Sequence, residues 1–389
     1  MTDIVLHRGR DRSVRRRHPW VLSGAVDRVE GSAGPGAWVR VLSAEGEPLA
    51  SGHFSPRSNI RVRLLCWGKE PPPDGLLAER IAAAVARRAA NPLLAGAEAL
   101  RLVHAEADGL PGLVADRYGD MVAVKLGTAG MSTRRDEVAA ALRTATGAPL
   151  GYERADSSAA RREGVPAHQG VLWGDGVPDG VWISEGGRRY VVNVADGQQT
   201  GFYLVHRESR DLVQRLAAGR RVLDLFSYTG GFAVAAACGG AASAVLVETS
   251  AAALGLARQS LEASAPGFDA RFENADAFAA VRGEAGVYDL VVVDPPALAR
   301  GRRDVSRASR AYKDVLRAAL ARAAPGALVL AFSSSSYVDP ELFRKIVFGA
   351  SLDARREVQV LRVLGPAADH PVSIYHPEGA SLTGLLLQA

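Results

Sequence analysis

Cysteine is nearly absent: Cys66 and Cys238 are the only two in 389 residues. They fall in segments that read as different domains, which argues against a disulfide framework and against a cysteine metal site. No other metal-ligand spacing occurs, so no metal is expected. No apolar run approaches the roughly 18 residues that a membrane span needs. The chain opens on Met1-Thr2-Asp3 and turns at once into an arginine-rich stretch, unlike the apolar core of a secretory signal. The expectation is a cytoplasmic protein that meets no membrane. Two glycine-rich loops are also missing. No Gly-x-Gly-x-x-Gly stands at a strand-to-helix junction, and nothing resembles a Walker loop, so a phosphate cradle is disfavoured.

What is present describes a folded chain, with 48% apolar and 23% charged residues. Its length exceeds what one hydrophobic core usually supports, which predicts two or three domains. The net charge of +5 is localised: residues 1–63 carry 11 arginines against 6 acids, and the remainder holds 36 charges of each sign. Arg8, Arg10, Arg12, Arg15, Arg16 and Arg17 fall within ten residues, a pattern that suits either a phosphate-meeting surface or a solvated charged face.

Alternating runs at Trp38–Leu42 and Ile60–Leu64 predict half-buried strands and a small β-rich first domain. The breaker-rich stretch from Gly68 to Gly75 ends it. A helix over Leu76–Ala90, strands near 101–105, 112–117 and 121–126, and a helix near 133–145 make a middle α+β segment. A hairpin, Val181–Ser184 with Tyr190–Asn193, leads into the last part. From Arg220 onward, short apolar strands at Val222–Phe226, Ala244–Glu248, Leu290–Asp294 and Ala327–Phe332 alternate with helical segments, the pattern of a doubly wound α/β sheet. The expected division is therefore 1–70, 71–190 and 191–389.

In such sheets ligands bind beyond the carboxyl ends of the strands. There the first strand reads Asp224-Leu225-Phe226-Ser227-Tyr228-Thr229-Gly230-Gly231. The paired glycines allow close backbone approach, and Asp224 can accept from a cationic amine. Glu248 ends the second strand, where a carboxylate can take both hydroxyls of a ribose, and Asp276 follows the third, where it can meet an adenine edge. Three acids at successive strand ends suit a ligand with an amino acid, a ribose and an adenine but no phosphate, namely S-adenosylmethionine.

The run Leu223–Val234, with Gln199–Leu204 before it and Asp294-Pro295-Pro296 after it, strongly resembles the bacterial 23S rRNA cytosine-C5 methyltransferases. The resemblance extends to Arg17–Ala25, Glu106–Gly112 and Ala368–Val372, and so covers essentially the whole chain. It implies an N-terminal PUA fold, an RNA-binding β-barrel, then a small α+β domain and a class I, Rossmann-like methyltransferase domain. RNA, most naturally ribosomal RNA, becomes the expected partner, through Arg15, Arg16, Arg17, His18 and Trp20. Thr200, Phe202, Tyr203 and Arg207 are implied at the methionine end of the cofactor, beside Asp224, Phe226, Ser227, Thr229, Gly230, Gly231, Glu248, Asp276 and Asp294. A homodimer is left open.

The same resemblance implies a Phe-Ser-Cys-Ser-Gly segment carrying the thiol that attacks cytosine C6. This chain reads Phe332-Ser333-Ser334-Ser335-Ser336, with Ser334 at the nucleophile position, a far weaker nucleophile unless a base deprotonates it. Ala297 stands where a lysine is usual, and Val205 where an acid is. Asp294 and Ser334 are the candidate catalytic residues. Asp294, or a carbonyl of the Pro295-Pro296 turn, can grip the exocyclic amine of a flipped base. Tyr312 or Tyr337 can stack on that base, and His206, His370 and His376 are candidates for proton transfer. Two other readings stand beside this one: a noncatalytic RNA-binding or ribosome-assembly factor that retains the cofactor fold, and a nicotinamide-dependent oxidoreductase with Glu248 on the ribose.

Overall fold

Twenty strands and their connecting helices emerge from these patterns in a computed structural model, which describes residues 2–283, 286–380 and 382–389. The chain divides into two compact units. The first contains residues 1–179, 194–201 and 368–379; the second contains 180–193, 202–367 and 380–389.

Two sheets build the first unit. Strands β1 (Thr2–Leu6), β2 (Trp20–Leu22), β3 (Val26–Glu30), β4 (Trp38–Leu42), β5 (Pro48–Phe54) and β6 (Ile60–Trp67) form one sheet in the order β2-β6-β5-β4-β1-β3. Its core holds Ile4, Leu6, Val39, Val41, Val62 and Leu64, the inward residues of alternating strands. The second sheet, β7 (Ala99–His104), β8 (Leu113–Tyr118), β9 (Met121–Leu126), β10 (Leu150–Glu153) and β11 (Gly170–Trp173), has the order β11-β10-β9-β8-β7. Helices Leu76–Ala89 and Arg135–Thr146 contribute Leu77, Ile81, Val138 and Leu142 to its core.

The expected boundary at 190/191 falls inside a hairpin, β12 (Val181–Glu185) and β13 (Arg188–Val192), that belongs wholly to the second unit. Charge ties it there. Glu185, on β12, accepts from Arg210 Nε and Nη2 at 2.7 Å each, and Arg188, fully buried, donates to the Glu185 side chain at 3.2 Å.

The second unit's main sheet comprises β14 (Arg221–Leu225), β15 (Ser243–Glu248), β16 (Ala270–Asn274), β17 (Tyr288–Val293), β18 (Ala323–Ser333), β19 (Gln359–Leu364) and β20 (Thr383–Gln388). The order is β16-β15-β14-β17-β18-β20-β19. The first five strands run parallel, and the apolar stretches of β14, β15, β17 and β18 are buried on both faces as expected. β20, inserted between β18 and β19, is antiparallel to both and is the one reversed strand of this sheet among the described residues, and the order departs from the 3-2-1-4-5-6 of dinucleotide-binding sheets. Strand order reverses at β14, whose neighbours are β15 and β17. The crevice beyond its carboxyl end is thus where a ligand is expected.

Candidate active site

Beyond β14 the backbone is strained before it becomes helical. Phe226 and Tyr228 hold φ of 63° and 47°, left-handed conformations that cost a non-glycine residue roughly 1–3 kcal/mol each. Three hydrogen bonds impose the shape: Ser227 N donates to Val247 O, Tyr228 N to Glu248 Oε2, and Gly230 N to Ser227 O. Gly230 is left-handed too, and a Cβ there would meet the Ala257 methyl at 2.9 Å, so only glycine can start the helix Gly231–Cys238.

This loop leaves acceptors and hydroxyls without partners. Asp224 is fully buried; its Oδ2 accepts from Ala233 N at 3.1 Å, while Oδ1 has no partner among the described residues. The hydroxyls of Ser227 and Thr229 are also buried and unpartnered. Burial, with smaller contributions from Asp294 and Glu248, pushes the Asp224 carboxyl up to about 8. Buried polar groups without partners are expensive, so their clustering indicates a ligand that supplies donors and positive charge. The ammonium of S-adenosylmethionine meets that requirement at Asp224.

The other predicted residues fall as follows. Glu248 Oε1 already accepts from the Thr249 hydroxyl at 3.0 Å and from Ser250 N at 2.9 Å, so only Oε2 retains capacity for a ribose. Asp276 is exposed and caps the helix Ala277–Gly283 through Ala279 N. Phe202 is buried under the Arg210 guanidinium, Tyr203 packs edge-on against Tyr228 at 5.4 Å, and Arg207 lies 3.5 Å from Glu185. Thr200 belongs to the first unit, where its hydroxyl meets Asp116 and the Tyr118 hydroxyl.

Past β17, Asp294 meets His206 Nε2 at 2.9 Å. The imidazole is buried among Phe232 and Phe332, and its Nδ1 has no hydrogen-bond partner among the described residues. Residues 206 and 294 are far apart in sequence, and no local signal announces the pair. His370 and His376 instead lie in the first unit; His370 is held on Asp369 at 2.7 Å, with its basicity lowered by burial.

The family model for S-adenosylmethionine-dependent methyltransferases matches residues 126–362, and that for PUA-like domains matches residues 4–67. The chain belongs to the S-adenosylmethionine-dependent methyltransferases. It is 39% identical over 388 residues to ribosomal RNA large subunit methyltransferase I of Erwinia tasmaniensis, covering 98% of both chains. It is 40% identical over 391 residues to the protein of that name from Photobacterium profundum, again covering 98% of both. A solved structure from Streptococcus mutans, described as a S-adenosylmethionine-dependent methyltransferase, matches over the full length of both chains with a TM-score of 0.84 at 22% identity. A methyltransferase structure solved in complex with S-adenosylhomocysteine gives the same TM-score, identity and coverage.

In this methyltransferase Ser334 is half-buried, and its hydroxyl has no hydrogen-bond partner among the described residues. Its neighbours are committed: Tyr312 OH bonds both Ser333 Oγ at 3.1 Å and Ser335 Oγ at 3.0 Å, and Ser335 Oγ also accepts from Ala299 N. Tyr312 is therefore a fully buried core residue, whereas Tyr337 is exposed. Cys238 is half-buried at the end of its helix, directs its thiol to Ser264 O at 3.7 Å, and burial raises its pKa. Burial raises Cys66 as well.

In the N-terminal domain, Arg15 is engaged by two carboxylates, Asp11 at 2.6 Å and Glu47. Arg16 and Arg17 are exposed, and neither forms an ion pair among the described residues. His18 lies 3.4 Å from Glu378, and Trp20 Nε1 donates to Glu106 at 2.8 Å. No group of three His, Cys, Asp or Glu side chains among the described residues could hold a metal ion, and no helix is long and apolar enough to cross a membrane.

Proposed function

We propose that this chain methylates a base of large-subunit ribosomal RNA in the cytoplasm, and that the base is one bearing an exocyclic amine, cytosine foremost. The observation that carries the reading is the His206-held Asp294 carboxylate past β17, beside the buried Asp224, whose Oδ1 has no partner among the described residues. The names of the full-length relatives support the RNA, and the PUA-like domain supports a separate grip on it.

Asp224, Ser227 and Thr229 would hold the methionine end of the cofactor and Glu248 its ribose. When bound, S-adenosylmethionine supplies an electrophilic methyl group. The chain's own contribution is positional. His206 donates to one Asp294 oxygen and leaves the other to accept an amine N–H of the base, fixing the ring in place. Ser334 adds no thiolate, and no base within hydrogen-bond reach deprotonates it among the described residues.

A homodimer is supported by the open edge strand β19, where Val360, Leu361 and Val363 are 50%, 48% and 55% exposed. Sedimentation reads that state. The function is tested by nucleoside mass spectrometry of large-subunit RNA from a deletion strain. Loss of one methylated cytidine is expected; an unchanged methylation profile would overturn the assignment.

A further inference from the structure

The first unit contains a cavity of about 320 Å³ among residues that the methyl-transfer chemistry does not use. Its lining includes Leu64 and Trp67 of β6, Arg17 past the helix Arg12–Arg15, Glu106 and Pro111 between β7 and β8, and Tyr375 of the unit's returning segment. Four features give it chemical character.

Arg17 is exposed, makes no ion pair among the described residues, and is held at a left-handed φ of 63° just past the helix Arg12–Arg15. That is a strained backbone presenting a free cation. The Trp67 indole N–H donates to Val14 O at 3.1 Å, which fixes the ring while leaving it 36% exposed. Tyr375 is 51% exposed and its backbone N–H is tied to Ser373 Oγ. Glu106 spends Oε1 on the Trp20 indole at 2.8 Å, while Oε2 has no hydrogen-bond partner among the described residues. Trp20 is itself braced by the His376 ring at 4.4 Å, so the Glu106 carboxylate is aimed rather than floppy.

A free guanidinium, two accessible aromatic faces and one free carboxylate oxygen match the parts of a nucleotide: phosphate, base plane and base amine. The volume stands at the low end for small-ligand pockets and admits one nucleotide, not a duplex. We propose that this cavity captures a single unpaired, amine-bearing nucleotide of the RNA substrate, with its phosphate at Arg17, its base against Trp67 and Tyr375, and its amine on Glu106. The proposal rests on the ribosomal RNA reading above and adds a second nucleotide site, away from the methyl-transfer crevice.

The test uses the full-length protein, with CMP, UMP and inorganic phosphate as probes followed by tryptophan fluorescence and calorimetry. CMP is expected to bind more tightly than UMP, and both more tightly than phosphate. Arg17→Ala and Tyr375→Ala should each weaken CMP about tenfold, while Tyr375→Phe keeps wild-type affinity. Glu106→Gln retains an acceptor for Trp20 but can donate to a uracil carbonyl, so it should shift the CMP-to-UMP preference by about tenfold toward UMP. Thermal melts confirm that the variants fold.

If wild-type protein methylates ribosomal RNA and these substitutions leave CMP affinity and base preference unchanged, the cavity assignment is overturned and the substrate reading stands. If CMP binds as described and the Glu106→Gln preference shifts, but ribosomal RNA is not methylated, the substrate reading fails while the nucleotide site survives. Binding of a ribosomal protein that is insensitive to competing CMP, with no nucleotide binding, would make the cavity a protein-docking site and overturn the proposal.

Discussion

Asp224→Asn isolates the charge on which, in the reading proposed above, cofactor binding depends. The carboxyl is fully buried, and its pKa is raised from 3.8 to about 8, chiefly by desolvation and then by Asp294 and Glu248. At pH 7 the ligand-free protein therefore keeps this group about nine-tenths protonated. A cationic amine beside Oδ1 favours the ionised form, so binding at pH 7 must expel about 0.9 of a proton. Removing that proton costs about 1.4 kcal/mol for each pH unit below the pKa. Wild-type affinity for S-adenosylhomocysteine should accordingly rise about fivefold between pH 7 and 8, reach about tenfold near pH 9 and then level off.

The asparagine keeps an acceptor for Ala233 N but offers no charge. Its affinity should be independent of pH and about 10–100-fold weaker than wild type at pH 8.5, where most of the wild-type carboxyl is ionised and the charge-assisted bond is worth about 1.5–3 kcal/mol. The ligand-free wild type should behave in the opposite sense. Its native state holds a proton that the unfolded chain lacks between 3.8 and about 8, so stability falls as pH rises through that window, by at most roughly 6 kcal/mol. The variant should lack that slope. Calorimetry in buffers of different ionisation enthalpy counts the proton directly. A wild-type count near zero at pH 7 would refute the reasoning, whatever the affinities.

Glu248→Ala removes both the loop anchor on Tyr228 N and the remaining ribose acceptor, so S-adenosylhomocysteine should bind at least tenfold more weakly by calorimetry. His206→Gln keeps a donor near Asp294 and should lower methyl transfer by less than about tenfold, whereas His206→Ala should lower kcat about 100-fold with little change in the KM for RNA; equal effects on both would show that His206 only packs. Salt dependence of RNA binding should flatten by about 1.4 log–log slope units in the Arg16→Ala, Arg17→Ala double variant and hardly at all in Arg15→Ala, whose charge is already neutralised. RNA carrying 5-fluorocytidine should form no gel-stable adduct with the wild type, and Ser334→Ala should bind S-adenosylhomocysteine normally; an adduct lost in Ser334→Ala would make this serine a working nucleophile.

The central strands were legible because burial on both faces leaves continuous apolar runs, as in Leu290–Val293 and Leu328–Phe332. The edges were not. β16 reads Arg271-Phe272-Glu273-Asn274 after its first residue and is largely uncovered, and β19 is exposed along almost its entire length, so neither carries a burial signature. Charge was legible as a count but not as a pairing. Arg15 looks like its neighbours in sequence, yet Glu47, 32 residues away, occupies it. Thr200 sits two residues before Phe202, but a change of unit falls between them.

Asp276, one of the three acids first grouped at strand ends, is an exposed helix cap, and Asp294 past the fourth strand stands with Asp224 and Glu248 instead. Sequence places Asp224, Glu248 and Asp294 at the ends of separate strands; the sheet order β15-β14-β17 sets those strands side by side, with Asp224 in the middle. Each outer carboxylate has its own donors, Thr249, Ser250 and Tyr228 N on Glu248, and His206 on Asp294. Asp224 has one backbone N–H and feels both neighbours, so desolvation and like charge accumulate on the single group that the fold leaves half-satisfied. A cation delivered there relieves all three at once. In the reading proposed above, a fold built from ordinary apolar strands would thereby select a positively charged ligand at one strand end, and the acid that contributes least to holding the loop together would contribute most to binding.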